Sequence, residues 1–156
     1  MAQKIGGSIG RDKSVDDLIA LEHELGLDRV DTLIQFNTKI SIVRDNLQKL
    51  IYSLKKEGKI IAGFGAPTKA TTLMAHFGLD EKVLDFIVDD NPLKQKLFTP
   101  ITHIPILSAD VLYERKPDYL LILAWNFAEP IMKMHEKYSK EIGQFILPMP
   151  EPKVVL

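Results

Sequence analysis

The chain of 156 residues is 46% hydrophobic, has no cysteine, and carries 20 lysines and arginines against 21 aspartates and glutamates. This length suits one domain with a well-formed core, and the lack of cysteine excludes disulfides, thiolate metal sites and a cysteine nucleophile. The balanced charge excludes the basic surface that nucleic acid requires. No apolar run reaches the roughly 18–20 residues of a membrane span, and Met1–Gly10 lacks a signal-peptide core. We therefore expect a cytoplasmic protein with no nucleic-acid or membrane partner.

The first 58 residues predict two helices. Ser14 is the expected N-cap of the first helix, with acidic residues in its first turn, and Gly26 ends it. The second helix is predicted from about Asp28 to Glu57, and its apolar residues recur at the spacing of one buried face. A helix of this length measures roughly 45 Å, which exceeds the width of a small domain. We therefore expect its early turns to pack on something outside the domain.

Strands and helices alternate from residue 59 onward. Short apolar runs predict strands at 59–64, 83–88, 103–106, 119–124 and 144–147, with helical stretches between them. This order predicts an α/β fold: a Rossmann-like, doubly wound, mainly parallel five-stranded sheet preceded by two N-terminal helices. The predicted domains are a helical segment over 1–58, packed on the rest, and a Rossmann-like domain over 59–156.

The loop after the first predicted strand is the most informative candidate site. Open parallel sheets bind ligands at the carboxyl ends of their strands. Gly63 and Gly65 allow a sharp turn from strand to helix, and Pro67 suits the first helical turn. The free N–H groups of that turn favour an anion, and Lys69 adds a positive charge nearby. The alternative is a glycine turn that serves only strand-to-helix packing.

Other nucleotide-binding motifs fit this loop less well. A dinucleotide fingerprint needs a third small residue where Thr68 stands, although Asp89 or Asp90 supplies an acid about 20 residues further on. An autonomous enzyme with an NAD(P)-like nucleotide cofactor is therefore the alternative hypothesis. The segment Thr68–Ala70 does not match the Gly-Lys-Ser/Thr of a Walker loop.

The remaining candidate residues lie in the loops after later strands. Trp125 and Asn126 are suited to stack on and hydrogen-bond a ligand, or else represent a buried tryptophan and a helix-capping asparagine. The segment Asn91–Lys96 fits either a binding loop or a surface turn. The four histidines lack metal-ligand spacing, and only His103 is expected near the ligand edge. No catalytic nucleophile is recognised, so we predict neither a catalytic nor a metal site.

A series of segments carries a family resemblance: Gly65–Leu73, Asp89–Gln95, His103–Ile106, Leu121–Phe127 and Pro148–Pro152. In this order they resemble the C-terminal domain of S-adenosylmethionine-dependent sugar C-methyltransferases. The similarity covers nearly the whole chain, including the Gly6–Ile9 start. Ala70, Thr71, Gly10 and Ile101 depart from the residues that the family favours at those positions.

The resemblance implies a Rossmann-like domain that binds a nucleotide-linked keto sugar, carrying dTDP or a similar nucleotide, and that is not catalytic alone. The family's proposed catalytic histidine is replaced by Ile5. The resemblance also implies that S-adenosylmethionine and zinc are bound by other domains and not by this one. A catalytic methyltransferase domain is then the expected partner, in cis or in trans. The resemblance and the loops described above together give these candidate substrate-binding residues: Gly65, Ala66, Pro67, Lys69, Asn91, Lys94, His103, Trp125 and Asn126.

Overall fold

The computed structural model describes residues 4, 6–8, 10 and 12–155. The chain forms two compact units, 1–40 and 41–156. Helix α1 spans Lys13–Glu24, and helix α2 spans Val30–Lys56, so that it begins in the first unit and ends in the second. Asp12, and not Ser14, is the N-cap of α1. Its backbone is extended and its Oδ1 accepts the N–H of Ser14 at 2.9 Å, whereas Ser14 already lies in the helix.

Only the second half of α2 is buried. Leu47, Ile51 and Leu54 pack in the core of the second unit. Leu33 and Ile34 belong to the early turns and are more than half exposed. The predicted buried face is therefore buried only in the part of the helix that belongs to the second unit. Helix α1 likewise buries none of its side chains.

The second unit is a doubly wound α/β sheet, as predicted. Its elements are β1 (Ile61–Phe64), α3 (Thr68–Phe77), β2 (Phe86–Val88), β3 (Ile106–Leu107), α4 (Val111–Arg115), β4 (Tyr119–Ile122), a 3-10 turn (Trp125–Phe127), α5 (Ala128–Met134), α6 (Glu136–Glu141), β5 (Gln144–Leu147) and β6 (Lys153–Val155). The strand order is β3-β2-β1-β4-β5-β6, with β6 antiparallel to β5 and every other neighbouring pair parallel. From β1, the chain first adds β2 and β3 on one side and then crosses to add β4 and β5 on the other, so the strand order reverses between β1 and β4. Ligands of doubly wound sheets bind at such a point, and the candidate site lies there.

The sheet has six strands where the sequence predicted five. The additional strand β6 lies at the edge of the sheet, where Lys153 and Val154 are exposed. It is short and follows a segment with prolines at 148, 150 and 152. An exposed edge strand needs no continuous apolar run, so the pattern used to find the central strands does not detect it.

The sheet is covered on one face by α4, α5 and α6. Leu112, Ile131 and Tyr138 from these helices pack with Phe64 and Ile122 of the central strands. Gly63 allows close packing elsewhere in β1, because a Cβ there would stand 2.9 Å from Ile87 Cγ1 and 2.8 Å from Leu123 Cδ1. Among the described helices, none is both long enough and apolar enough to cross a membrane.

Leu47→Ala and Leu33→Ala compare the two halves of α2. Leu47 is 0% exposed and Leu33 is 56% exposed. Leu47→Ala should lower the free energy of unfolding by about 2–5 kcal/mol because it removes buried contacts and leaves a cavity. Leu33→Ala should change it by less than about 1 kcal/mol. Urea denaturation of both variants measures this, and equal losses would contradict the described burial of α2.

Candidate functional site

The turn after β1 lies directly against the end of β4. Gly65 has a φ of +86°, and a Cβ at this position would stand 2.8 Å from the Cβ of Ala124. Its N–H donates to the carbonyl of Val88 at 2.7 Å, which ties the turn to the end of β2 as well. Both the positive φ and the close approach require glycine. The turn therefore holds the carboxyl ends of three adjacent strands together.

Asp89 links this turn to the loop after β2. Its side chain is buried, with 7% of the residue exposed. Oδ2 accepts the N–H of Ala66 at 2.7 Å, and Oδ1 accepts the N–H of Asn91 at 2.9 Å. The Lys94 Nζ lies 3.1 Å from Oδ2. Burial raises the pKa of this carboxyl, but the two N–H groups and the Lys94 ammonium outweigh it and hold the pKa of Asp89 below its ordinary value.

Several candidate residues are therefore occupied by contacts within the chain. Ala66 donates its N–H to a carboxylate, and Lys94 is paired with that same carboxylate. The Asn91 Oδ1 accepts the N–H of Leu93 at 3.0 Å, which is the contact of a local turn. Both oxygens of Asp89 accept hydrogen bonds within the chain, so the described contacts give this carboxylate the role of joining the two loops. Its role as a link between two loops was missed in the sequence.

The N-terminus of α3 retains free donors. Pro67 is the N-cap and supplies no side-chain cap. In the described part of the chain, the N–H groups of Thr68 and Lys69 make no hydrogen bond, as is usual for the first turn of a helix. The Lys69 Nζ lies 4.8 Å from the centroid of the Trp125 ring and 5.7 Å from that of Phe127. The turn therefore combines two free N–H groups with an ammonium held over aromatic rings.

Trp125 and Asn126 lie in a 3-10 turn and not at the start of a regular helix. Trp125 is partly buried and Asn126 is exposed. The N-cap of α5 is Phe127, which makes no side-chain cap. The prediction that Asn126 caps the following helix is therefore wrong. The N–H groups of Leu123 and Ala124 both donate to the Phe64 carbonyl, and the 3-10 turn then delays the start of α5 to residue 128.

The histidine close to the end of β1 is His135, not His103. His103 is exposed in a loop with a φ of +52°, and no described contact joins it to the Gly65–Lys69 turn. The His135 ring lies 4.9 Å from that of Phe64, and its Nδ1 lies 3.2 Å from the Tyr113 Oη. Burial lowers the pKa of His135, which the charge of Asp90 opposes. His135 lies between α5 and α6, and its contacts join separate segments of the chain, so no local signal in the sequence identified it.

A pocket of about 250 Å³ lies beside the first turns of α3. It is lined by Ala66, Pro67, Ala70, Thr71, Met74, Lys94, Leu97, Phe98, Thr99, Pro100 and Ile106. Three of these residues, at 66, 67 and 94, were candidates from the sequence, and the others were not. Within the described residues, no group of three or more acidic or histidine side chains is placed to hold a metal ion.

Comparison with known proteins assigns the family. The model of the C-methyltransferase C-terminal domain matches residues 1–150. The chain belongs to this family. It is also 35% identical over 142 residues to the C-methyltransferase NovU of Streptomyces niveus, a match that covers 91% of this chain and 34% of that protein. The chain thus spans about a third of the length of that relative, and the family resemblance seen in its motifs is confirmed.

Asp89→Asn tests the link between the two loops. An amide keeps the shape of the carboxylate but loses the charge-assisted bonds to Ala66, Asn91 and Lys94, so the free energy of unfolding at pH 7 should fall by about 1–3 kcal/mol. Asp90→Asn is the matched control: Asp90 is exposed, and its replacement should change stability by less than about 0.5 kcal/mol. Denaturant melts of both variants measure the difference.

The effect of Asp89→Asn should also depend on pH. The folded pKa of Asp89 is lowered, so the carboxylate stabilises the fold above the unfolded pKa of about 3.9. This contribution is lost as the pH falls through the folded pKa. The stability difference between the native chain and Asp89→Asn should therefore shrink below about pH 4. A difference that stays constant down to pH 2 would contradict this role.

Proposed function

We propose that the chain is the substrate-binding C-terminal domain of an S-adenosylmethionine-dependent C-methyltransferase that acts on a nucleotide-linked keto sugar. The coarser part, a domain of the C-methyltransferase family, is established by the family match. One observation supports the substrate-binding part of this proposal. Where the strand order reverses, the Lys69 ammonium and the free N–H groups at the start of α3 lie beside aromatic side chains and the exposed amide of Asn126. Such an edge is where doubly wound sheets bind nucleotides.

The diphosphate of the ligand is bound at the N-terminus of α3. The N–H groups of Thr68 and Lys69 donate to the phosphate oxygens, and the positive end of the helix dipole favours the negative charge there. The Lys69 ammonium, held over the Trp125 ring at 4.8 Å, supplies the opposite charge. Lys94 is paired with Asp89, so Lys69 is the principal cation that this proposal assigns to the phosphates.

The sugar lies on the β4 side of the turn. Phe127 and Asn126 are exposed there, next to the partly buried Trp125. Aromatic rings provide an apolar surface for the face of a sugar ring, and the Asn126 amide offers both donors and an acceptor for hydroxyl or keto groups. Within the described residues the Asn126 side chain has no hydrogen-bond partner and caps no helix, so it is available to a ligand.

Catalysis is assigned to a partner domain. Methyl transfer to a carbon next to a ketone needs a methyl donor and a general base within reach of the substrate. Asp89 and Lys94 are paired with each other, and His135 is buried with 6% exposure. We assign the base to a catalytic methyltransferase domain acting in cis or in trans, in a cytoplasmic enzyme. The family resemblance implies that S-adenosylmethionine and zinc are also bound by that domain.

Lys69→Ala tests the phosphate site. Titration with dTDP, followed by calorimetry or amide chemical shifts, should show binding that is weakened roughly 10- to 100-fold, the range of a charge-assisted hydrogen bond. The stability loss should not exceed about 2 kcal/mol, because the half-buried Lys69 contributes only cation–π contacts with Trp125 and Phe127. Lys133→Ala, at an exposed position in the last turn of α5, is the control and should alter neither quantity. Unchanged dTDP affinity in Lys69→Ala would overturn the phosphate site.

The chain alone should transfer no methyl group. Incubation with labelled S-adenosylmethionine and a panel of nucleotide-linked keto sugars should give no labelled product, because this proposal assigns the methyl donor and the general base to the partner domain. A heat-inactivated sample sets the background. Product above that background would show that the catalytic groups lie on this chain.

A further inference from the structure

The pocket beside α3 lies at one side of the proposed phosphate site. It shares Ala66 and Pro67 with the turn, but Lys69 and Trp125 do not line it. Its volume of about 250 Å³ is below the roughly 300–1,000 Å³ of pockets that enclose a whole drug-sized ligand. A pocket of this size therefore suits one ring system of a larger molecule.

Phe98 forms an exposed aromatic wall of this pocket on an anchored backbone. The residue is 63% exposed. Its neighbour Thr99 is buried, and the N–H of Thr99 donates to the Ile104 carbonyl at 2.9 Å. On the other side, the Leu97 carbonyl accepts the N–H of Ile106 at 2.9 Å. An aromatic ring that is exposed and yet held by fixed backbone on both sides is a ready platform for stacking.

The polar groups of the pocket fit an uncharged ring. The charge of Lys94 is compensated by Asp89 at 3.1 Å, so the pocket has no free cation from this residue for an anion. In the described part of the chain, the Thr71 hydroxyl has no hydrogen-bond partner and is available as both donor and acceptor. The remaining walls are mostly apolar, with Pro67 and Met74 contributed by the α3 side.

Thr71 also stands at a suitable distance from the phosphate site. It follows Thr68 by three residues in α3, so the two positions lie on the same side of the helix about one turn, or roughly 5 Å, apart. A nucleotide with its phosphates at the free N–H groups of Thr68 and Lys69 therefore reaches the pocket with its base.

We propose that this pocket binds the nucleobase of the nucleotide-linked sugar. The base stacks on Phe98, and the Thr71 hydroxyl hydrogen-bonds its polar edge. The phosphates lie at the start of α3, and the sugar extends to the opposite side, toward Trp125. This assignment rests on the proposed function, since it places one part of the same ligand.

Phe98→Ala and Thr71→Val, with dTDP and inorganic pyrophosphate as separate probes, test the nucleobase site. Phe98→Ala should weaken dTDP binding roughly 5- to 100-fold, the range of base–aromatic stacking, and leave pyrophosphate binding unchanged. Thr71→Val keeps the side-chain shape and should weaken dTDP roughly 3- to 10-fold, the range of one neutral hydrogen bond. Leu93→Ala is the control, because Leu93 is exposed in the same segment but does not line the pocket. Thermal melts verify that all three variants fold.

The outcomes separate the nucleobase site from the proposed function. If Phe98→Ala and Thr71→Val bind dTDP as tightly as the native chain while Lys69→Ala does not, the nucleobase assignment is wrong and the proposed function stands. The nucleobase assignment is also wrong if Phe98→Ala weakens pyrophosphate as much as dTDP. If the native chain binds neither probe, the proposed function fails and the nucleobase assignment fails with it.

Discussion

The buried carboxylate of Asp89 is the contact on which the candidate site depends. Its two oxygens accept N–H groups from the turn after β1 and from the loop after β2, at 2.7 and 2.9 Å. Lys94 adds the charge that makes burial of the carboxylate tolerable. A neutral side chain would leave at least part of this hydrogen bonding unmade inside the protein. The two loops are therefore fixed to each other before any ligand arrives, which lowers the ordering cost of binding.

The same contact divides the ligand edge into two chemically different parts. On the β2 side, Lys94 is paired with Asp89 and the neighbouring pocket is mostly apolar. On the β4 side, the Lys69 Nζ lies over the rings of Trp125 and Phe127. The free N–H groups at the start of α3 lie on the turn between these parts. A ligand that complements this arrangement has an uncharged ring at one end, an anionic group in the middle and a polar ring at the other end, which is the layout of the nucleotide-linked sugar that we propose as the ligand.

The sequence predicts those features of the fold that local chemistry decides. The apolar runs identified the five parallel strands, and Gly26 at a φ of +65° and Gly65 at +86° stand where a left-handed turn was expected. The site was harder to predict because its contacts join separate loops. Periodicity does not show that Lys94 turns back onto Asp89, or that a 3-10 turn removes Asn126 from its capping position. The pocket was missed for the same reason.

In helix α2 the apolar repeat of the sequence does not predict which residues are buried. Leu33 and Leu47 belong to the same apolar repeat, and the sequence treats them alike. Leu47 meets the core of the second unit and is fully buried, whereas Leu33 is 56% exposed. Periodicity reports which residues share a face of a helix, and burial depends on what that face meets. The same distinction holds at the candidate site: Lys69 and Lys94 are both lysines after neighbouring strands, but Lys94 meets a carboxylate whereas Lys69 meets aromatic rings.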